Sequence, residues 1–302
     1  MAMSAPDYSG FKTLIVTLDG SVLVVLQNRS KQRNSWADGV PQELQKVFDL
    51  ADRDDRVRVV IVTAEHTAPA YCAGADLGPR GWSTIWTPEE EKEGRHAHRD
   101  AGGKTSLAIY RCRKITIAAV NGHAAGVGMT AMQLPFDFRF VWAKAKLTFP
   151  FVRRGIVPEA TSSYLLPRLL GHSRANSLLL TGATFTPESP LIQSLYHQIL
   201  PTREEVFPAA LAFARELAAT TSQVSVAVTK SLIQNPGSSA EENHIYDSRA
   251  MRELASTADG EEGIRSFLEK REPKFTGTLS KELGEWYPWW REINTKHRNG
   301  KL

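Results

Sequence analysis

The chain has 302 residues, 42% of them hydrophobic and 23% charged, with a net charge of +4; that balance sustains a sizeable core, in one large α/β domain or two average ones. Lys and Arg alternate with acids and form no patch interleaved with aromatics, so the mild basic excess suits an anionic small molecule at least as well as nucleic acid, and no nucleic-acid partner is expected. Cys72 and Cys112 lie far apart with no second Cys or His at ligand spacing, which argues against a disulfide framework or a metal site and fits a reducing compartment.

No apolar run approaches the ~18 residues of a membrane span, and residues 1–10 lack the layout of a secretory signal. Residues 11–18 and 21–27 are β-rich runs joined by Asp19-Gly20, a two-residue hairpin signal. From Pro41 a helix follows, with Leu44, Val47, Phe48 and Ala51 on one face. Residues 57–63 read as a buried strand, leading into a loop that contains Tyr71-Cys72-Ala73-Gly74-Ala75-Asp76-Leu77. Residues 78–104, rich in Gly, charge and His, read as an insertion or mobile flap. Residues 105–112 are helical, Ile115–Val120 is a strand ending at Asn121-Gly122, and an apolar helix lies near residues 129–134. Phe138–Trp142 is strand-like. After that, 159–181, 203–221, 222–234, 238–257 and 260–271 are helical by period. One α/β core with a trailing helical region is the simplest reading.

Three stretches could carry chemistry. Residues 72–77 and 121–128 are small-residue loops after strands, and the second runs into a helix N-terminus. Small residues let a ligand approach backbone N–H groups, and helix starts leave such donors unsatisfied. Two donors aimed at one carbonyl oxygen make an oxyanion hole; tight turns packed through glycine are the structural alternative. The third stretch is 147–170, where Pro158-Glu159 opens an apolar helix. Proline suits the first helical position and an acid complements the helix dipole, so Glu159 reads either as a helix-entry residue or as a base.

The order of these motifs resembles the crotonase superfamily, whose members act on acyl-coenzyme A thioesters. Asn28-Arg29, Tyr71–Leu77, Ala119–Gly128, Pro158–Ser163 and Phe267–Arg271 carry the resemblance, which spans about residues 11–272. It implies an α/β fold: a spiral of ββα units over residues 11–200 and a helical trimerisation region over 201–272; an aromatic tail, 273–302, lies beyond it. It also implies a homotrimer or dimer of trimers, and an acyl-CoA substrate with no separate cofactor. By the resemblance, the N–H groups of Ala75 and Val127 hold the thioester oxygen, and Ala73, Asp76 and Leu77 line the substrate.

Hydratases of the superfamily position water with two glutamates. Their places here hold Thr130 and Phe151, so a hydratase is disfavoured. The segment Pro158-Glu159-Ala160-Thr161-Ser162-Ser163 is similar instead to that of the Δ3,Δ2-enoyl-CoA isomerases, especially the peroxisomal kind, which use one glutamate. Isomerisation needs a single base that takes a proton at Cα and returns it at Cγ; Glu159 is the expected base, and Phe151 would help keep water out. A dienoyl-CoA isomerase is disfavoured because it resembles a two-carboxylate design and Glu159 stands alone. Arg29, Lys31 and Arg33 fall where the family contacts coenzyme A, although Ser30 replaces the family's proline, and Lys270 resembles a position reaching a neighbouring subunit's ligand. Each of these cations reads equally as a solvated charge. Asp76 reads as a loop residue, His123 carries no assigned chemistry, and Asp137 anchors a strand start. The aromatics at 286–290 are expected to dock on the body or on another subunit, with a partner contact as the other reading. Gly300-Lys301-Leu302 is similar, imperfectly, to a peroxisomal address, with the cytoplasm as the other compartment. A hydratase or isomerase of secondary metabolism, and a non-catalytic binder of RNA or protein, are the alternative readings.

Overall fold

A computed structural model describes residues 5–78 and 98–295 of the chain. The Asp19-Gly20 hairpin forms as expected: β1 (Leu14–Asp19) pairs antiparallel with β2 (Val22–Gln27). Helix α1 (Val40–Arg53) follows, burying Leu44, Val47, Phe48 and Ala51 on its inner face. The chain then alternates between two sheets. Strand β3 (Val59–Ala64) joins the first sheet and β4 (Ala70–Cys72) the second; β5 (Ile115–Val120) and β6 (His123–Ala125) repeat the pattern, as do β7 (Phe138–Trp142) and β8 (Leu147–Thr148). With β9 (Thr184–Phe185) and β10 (Gln198–Leu200), the sheets run β1-β2-β3-β5-β7-β10 and β4-β6-β8-β9. A helix follows each strand pair: α2 (Ala101–Arg111), α3 (Val127–Gln133) and α4 (Ser162–Leu170). This is the ββα spiral that the resemblance implies.

The central strands are buried on both faces, as parallel strands covered on each side must be. Alternation sends Val60, Val62 and Ala64 of β3 into the core shared with α1 and α3, and Val59 and Ile61 into a second core. Helix α6 (Arg203–Thr220) closes that second core with Val206, Ala210 and Ala214. Helices α7 (Gln223–Gln234), α8 (Ala240–Ala255) and α9 (Ala258–Glu269) follow, then the short α10 (Leu279–Glu282). Asp137 anchors the start of β7, accepting from the Thr116 N–H at 2.8 Å and pairing with Lys230 at 2.8 Å. The aromatic tail docks on the body: Tyr287 and Ser231 share a hydrogen bond of 2.9 Å, and the Trp289 indole donates to the Asn235 carbonyl at 3.3 Å.

Two expectations need correction. The helix expected over 159–181 is two helices, α4 and α5 (His172–Thr181), separated by Gly171 at φ 80°. Glu159 belongs to neither: Ala160 and Thr161 turn through φ values of 56° and 57° before α4 begins at Ser162. The helix-entry reading of Glu159 therefore fails, because a carboxylate upstream of two left-handed residues does not reach the first-turn N–H groups. In the expected flap, 79–97 lie outside the described residues, whereas 98–100 lead directly into α2, which starts four residues earlier than its apolar period suggests.

Candidate active site

Strands β4 and β6 are parallel neighbours with Cys72 opposite Ala124. Ala75 and Val127 each lie three residues further on, so both leave the same end of adjacent strands. The loops that carry them touch: a Cβ on Gly74, which sits at φ 99°, would fall 3.1 Å from the Ala125 carbonyl oxygen, and one on Gly128 would collide with the Cys72 carbonyl. Glycine is required at both places by this approach. The Ala75 loop is also bridged to Trp36: the Trp36 N–H donates to Gly74 and the Asp76 N–H to Trp36, both at 2.8 Å. In a parallel bridge of this kind the N–H of Ala75 itself points away from its partner. Val127 opens α3, where the first-turn N–H groups have no intrahelical acceptor. Both amides are thus presented by backbone geometry alone.

Thr130 lies one helical turn beyond Val127, fully buried. Its hydroxyl hydrogen-bonds the Glu159 carboxylate through Oε1. The other oxygen, Oε2, rests on Gly102 in the first turn of α2, where any Cβ would overlap it. Burial pushes the Glu159 carboxyl up to about 8, against the lowering effect of the Thr130 bond; the nearby Asp100 carboxyl raises it further through charge and a shared hydrogen bond. The Cys72 thiol, packed near by, is pushed up to about 12 by burial and stays neutral.

Glu159 is therefore not alone, and the ground for setting aside two-carboxylate chemistry falls. Asp100 caps α2, accepting from the Gly103 N–H, and its Oδ1 also accepts from the Ala160 N–H at 3.3 Å. It was hidden among the charges of the expected flap. The available signal was an Asp directly before Ala-Gly-Gly, a helix N-cap pattern.

The remaining sequence candidates divide. Arg29 pairs with Asp76 at 3.5 Å, Ser35 donates to Asp76 at 3.1 Å, and the Ala73 N–H donates to the Arg33 carbonyl at 3.1 Å. The segment 28–35 thus straps the Ala75 loop in place, and Asp76 serves as a tie. Lys31 and Arg33 are exposed on that strap, while Leu77 is half-buried beside it. Phe151 is buried and packs in the main core with Phe149 and Ala160. Lys270 is exposed at the C-terminal end of α9. His123 accepts from the Lys146 N–H at 2.9 Å and stacks on Trp142, a structural role.

Residues 17–278 match the family model described as enoyl-CoA hydratase/isomerase. The chain belongs to that family. Among similar proteins, an enoyl-CoA hydratase AFT3-1 of Alternaria alternata is 42% identical over 267 residues, covering 88% of this chain and 86% of its own. A 1,2-epoxyphenylacetyl-CoA isomerase of Escherichia coli is 29% identical, covering 86% and 97%. The crystal structure of an enoyl-CoA hydratase from Bacillus anthracis superposes with a TM-score of 0.77 at 27% identity, covering 88% of this chain and all of that one. Family members carrying hydratase names and isomerase names thus both resemble this enzyme, and its own side chains must separate the two activities.

Proposed function

We propose that this family member isomerises 3-enoyl-CoA thioesters to trans-2-enoyl-CoA with Glu159 as the base. One observation carries the reading: a buried carboxyl, held by Thr130, sits one turn from the Val127 amide, while the two hydratase glutamate positions hold Thr130 itself and the buried Phe151. The thioester oxygen lies between the Ala75 and Val127 amides. Glu159 takes the Cα proton, the C–H pair moves into a dienolate whose charge rests on that oxygen, and the same carboxyl returns the proton to Cγ. Preorganised amides of this kind are worth about 10²–10³ in rate each, and a positioned base about 10²–10⁴. Arg29, Lys31 and Arg33 supply cations for the coenzyme A phosphates.

A second reading, hydration of 2-enoyl-CoA, is favoured by the hydratase name of the 42% identical relative and by the second carboxyl, Asp100. Against it, Thr130 and the buried Phe151 stand where the hydratases' two glutamates would. An assay of 3-enoyl-CoA and trans-2-enoyl-CoA side by side decides: conversion of the first without hydration of the second supports isomerisation, and the reverse overturns it.

Two wider assignments rest on the same footing. Ile264, Phe267 and Leu268 of α9 and Ile245 and Met251 of α8 are exposed, an apolar surface that supports assembly into trimers and would be read by sedimentation. Peroxisomal import rests on Gly300-Lys301-Leu302, which lie outside the described residues; deleting Leu302 and imaging a fluorescent fusion tests it.

A further inference from the structure

Asp100 and Glu159 meet in one corner but are held there differently. Asp100 presents one oxygen to two backbone donors, Gly103 and Ala160, and sits at the N-terminus of an 11-residue helix. Glu159 has a single hydroxyl donor, Thr130, and is sunk between Gly102, Thr130 and Ala160. Burial and the neighbouring Asp100 carboxyl push Glu159 toward its protonated form. Among the described residues, the Cys72 thiol of β4 is neutral and the Thr130 hydroxyl of α3 bonds the Glu159 carboxylate, while the Ser162 hydroxyl at the start of α4 donates to the Glu159 backbone carbonyl at 2.6 Å. His98, Arg99 and Lys104 flank Asp100 on its own segment.

We propose that Asp100 is a positioning residue that shares one proton with Glu159 and thereby sets the protonation state in which Glu159 meets the substrate. It rests on Glu159 being the base. As the Cα–H bond breaks and the new O–H bond forms on Glu159, Asp100 accepts a hydrogen bond from that hydroxyl. It thus stabilises the protonated carboxyl until the O–H bond breaks and Cγ–H forms. The consequence is a stronger base that is ionised in a smaller fraction of molecules at neutral pH.

The experiment compares wild type with Asp100→Asn and Asp100→Ser. Both replacements still cap a helix, so a merely structural role for Asp100 leaves the pH dependence of Glu159 in place. Two readouts are taken: the pH profile of kcat/KM for 3-enoyl-CoA, and the titration of the Glu159 side-chain carbon by ¹³C NMR, assigned by its loss in Glu159→Gln. In wild type both rise through about pH 8. Removing the charge is expected to move both midpoints down by about one pH unit or more, with the plateau kcat reduced about tenfold as the base weakens. An unmoved carbon titration in folded Asp100→Asn and Asp100→Ser overturns the pair, whatever the rates. A carbon titration that moves while the rate profile does not upholds the pair and overturns Glu159 as the base.

Discussion

The site has two halves, built on opposite principles. The half assigned to the carbonyl is backbone: two parallel strands in register, two loops in contact at Gly74 and Gly128, and a helix start. The half assigned to proton transfer is side chain: Glu159, bonded by the Thr130 hydroxyl and set against Gly102, and Asp100, held by the Gly103 and Ala160 N–H groups. Backbone amides keep their direction as long as the strands pair, whatever side chains they carry. A carboxyl is placed only by what touches it, so the second half is where single substitutions act.

Substitutions can break this contrast in graded steps. Glu159→Gln removes the base and is expected to cost about 10³–10⁴ in kcat with KM within a few-fold, checked by steady-state assay with 3-enoyl-CoA. Gly102→Ala puts a methyl where Oε2 lies and should cost about 10² in kcat, since small misplacements of a catalytic group have effects of that order, while leaving the fold intact by circular dichroism. Gly128→Ala attacks the other half: its Cβ meets Cys72 backbone, and a loss of about 1–3 kcal/mol in stability is expected in urea unfolding, with activity falling only as far as the loops part. Thr130→Val is the mildest. It removes the one bond that favours ionised Glu159, so the rising limb of kcat/KM should move above about 8, costing about tenfold or less at pH 7.

The same carboxyl carries a pH signature in stability. Glu159 titrates at about 8 when folded against 4.5 in a free side chain, so the folded state keeps a proton that the unfolded state releases between those values. Stability contributed by that proton is fully present below about pH 4.5 and is lost as pH rises to about 8, a cost of order 5 kcal/mol at most. Glu159→Gln should therefore raise the Tm at pH 9 and leave it nearly unchanged at pH 4, as read by calorimetry at the two pH values. On the proposed function, the base lowers stability where it is active, a cost imposed by function.

Much of the first sheet was legible in the sequence. The strands β3 and β5 announce themselves as β-branched runs and β7 as a short aromatic one, and the glycines of both loops mark close approach. The second sheet was not, because its strands run only two or three residues and carry no alternation to count. Gly171 gave a signal that the helical period of 159–181 outweighed. Glu159 was identified as the candidate base by resemblance, yet its immediate environment was misread, since a Pro-Glu pair looks like a helix start and two left-handed residues intervene. Asp100 was missed because the contact that gives it meaning joins residues about 60 positions apart, and no local pattern records such a contact.

The docked tail has a bearing on the timing of synthesis. The Arg99 guanidinium, beside Asp100, donates through Nε to the Thr295 carbonyl at 2.8 Å, across 196 residues of sequence. A ribosome adding about 5–20 residues per second makes Thr295 roughly 10–40 s after Arg99. Strands β3 through β8 can pair within that interval, whereas the segment bearing Asp100 gains its tail contact only after Thr295 has been made. The loops of Ala75 and Val127 can therefore be in place well before the corner of Asp100 and Glu159 is complete.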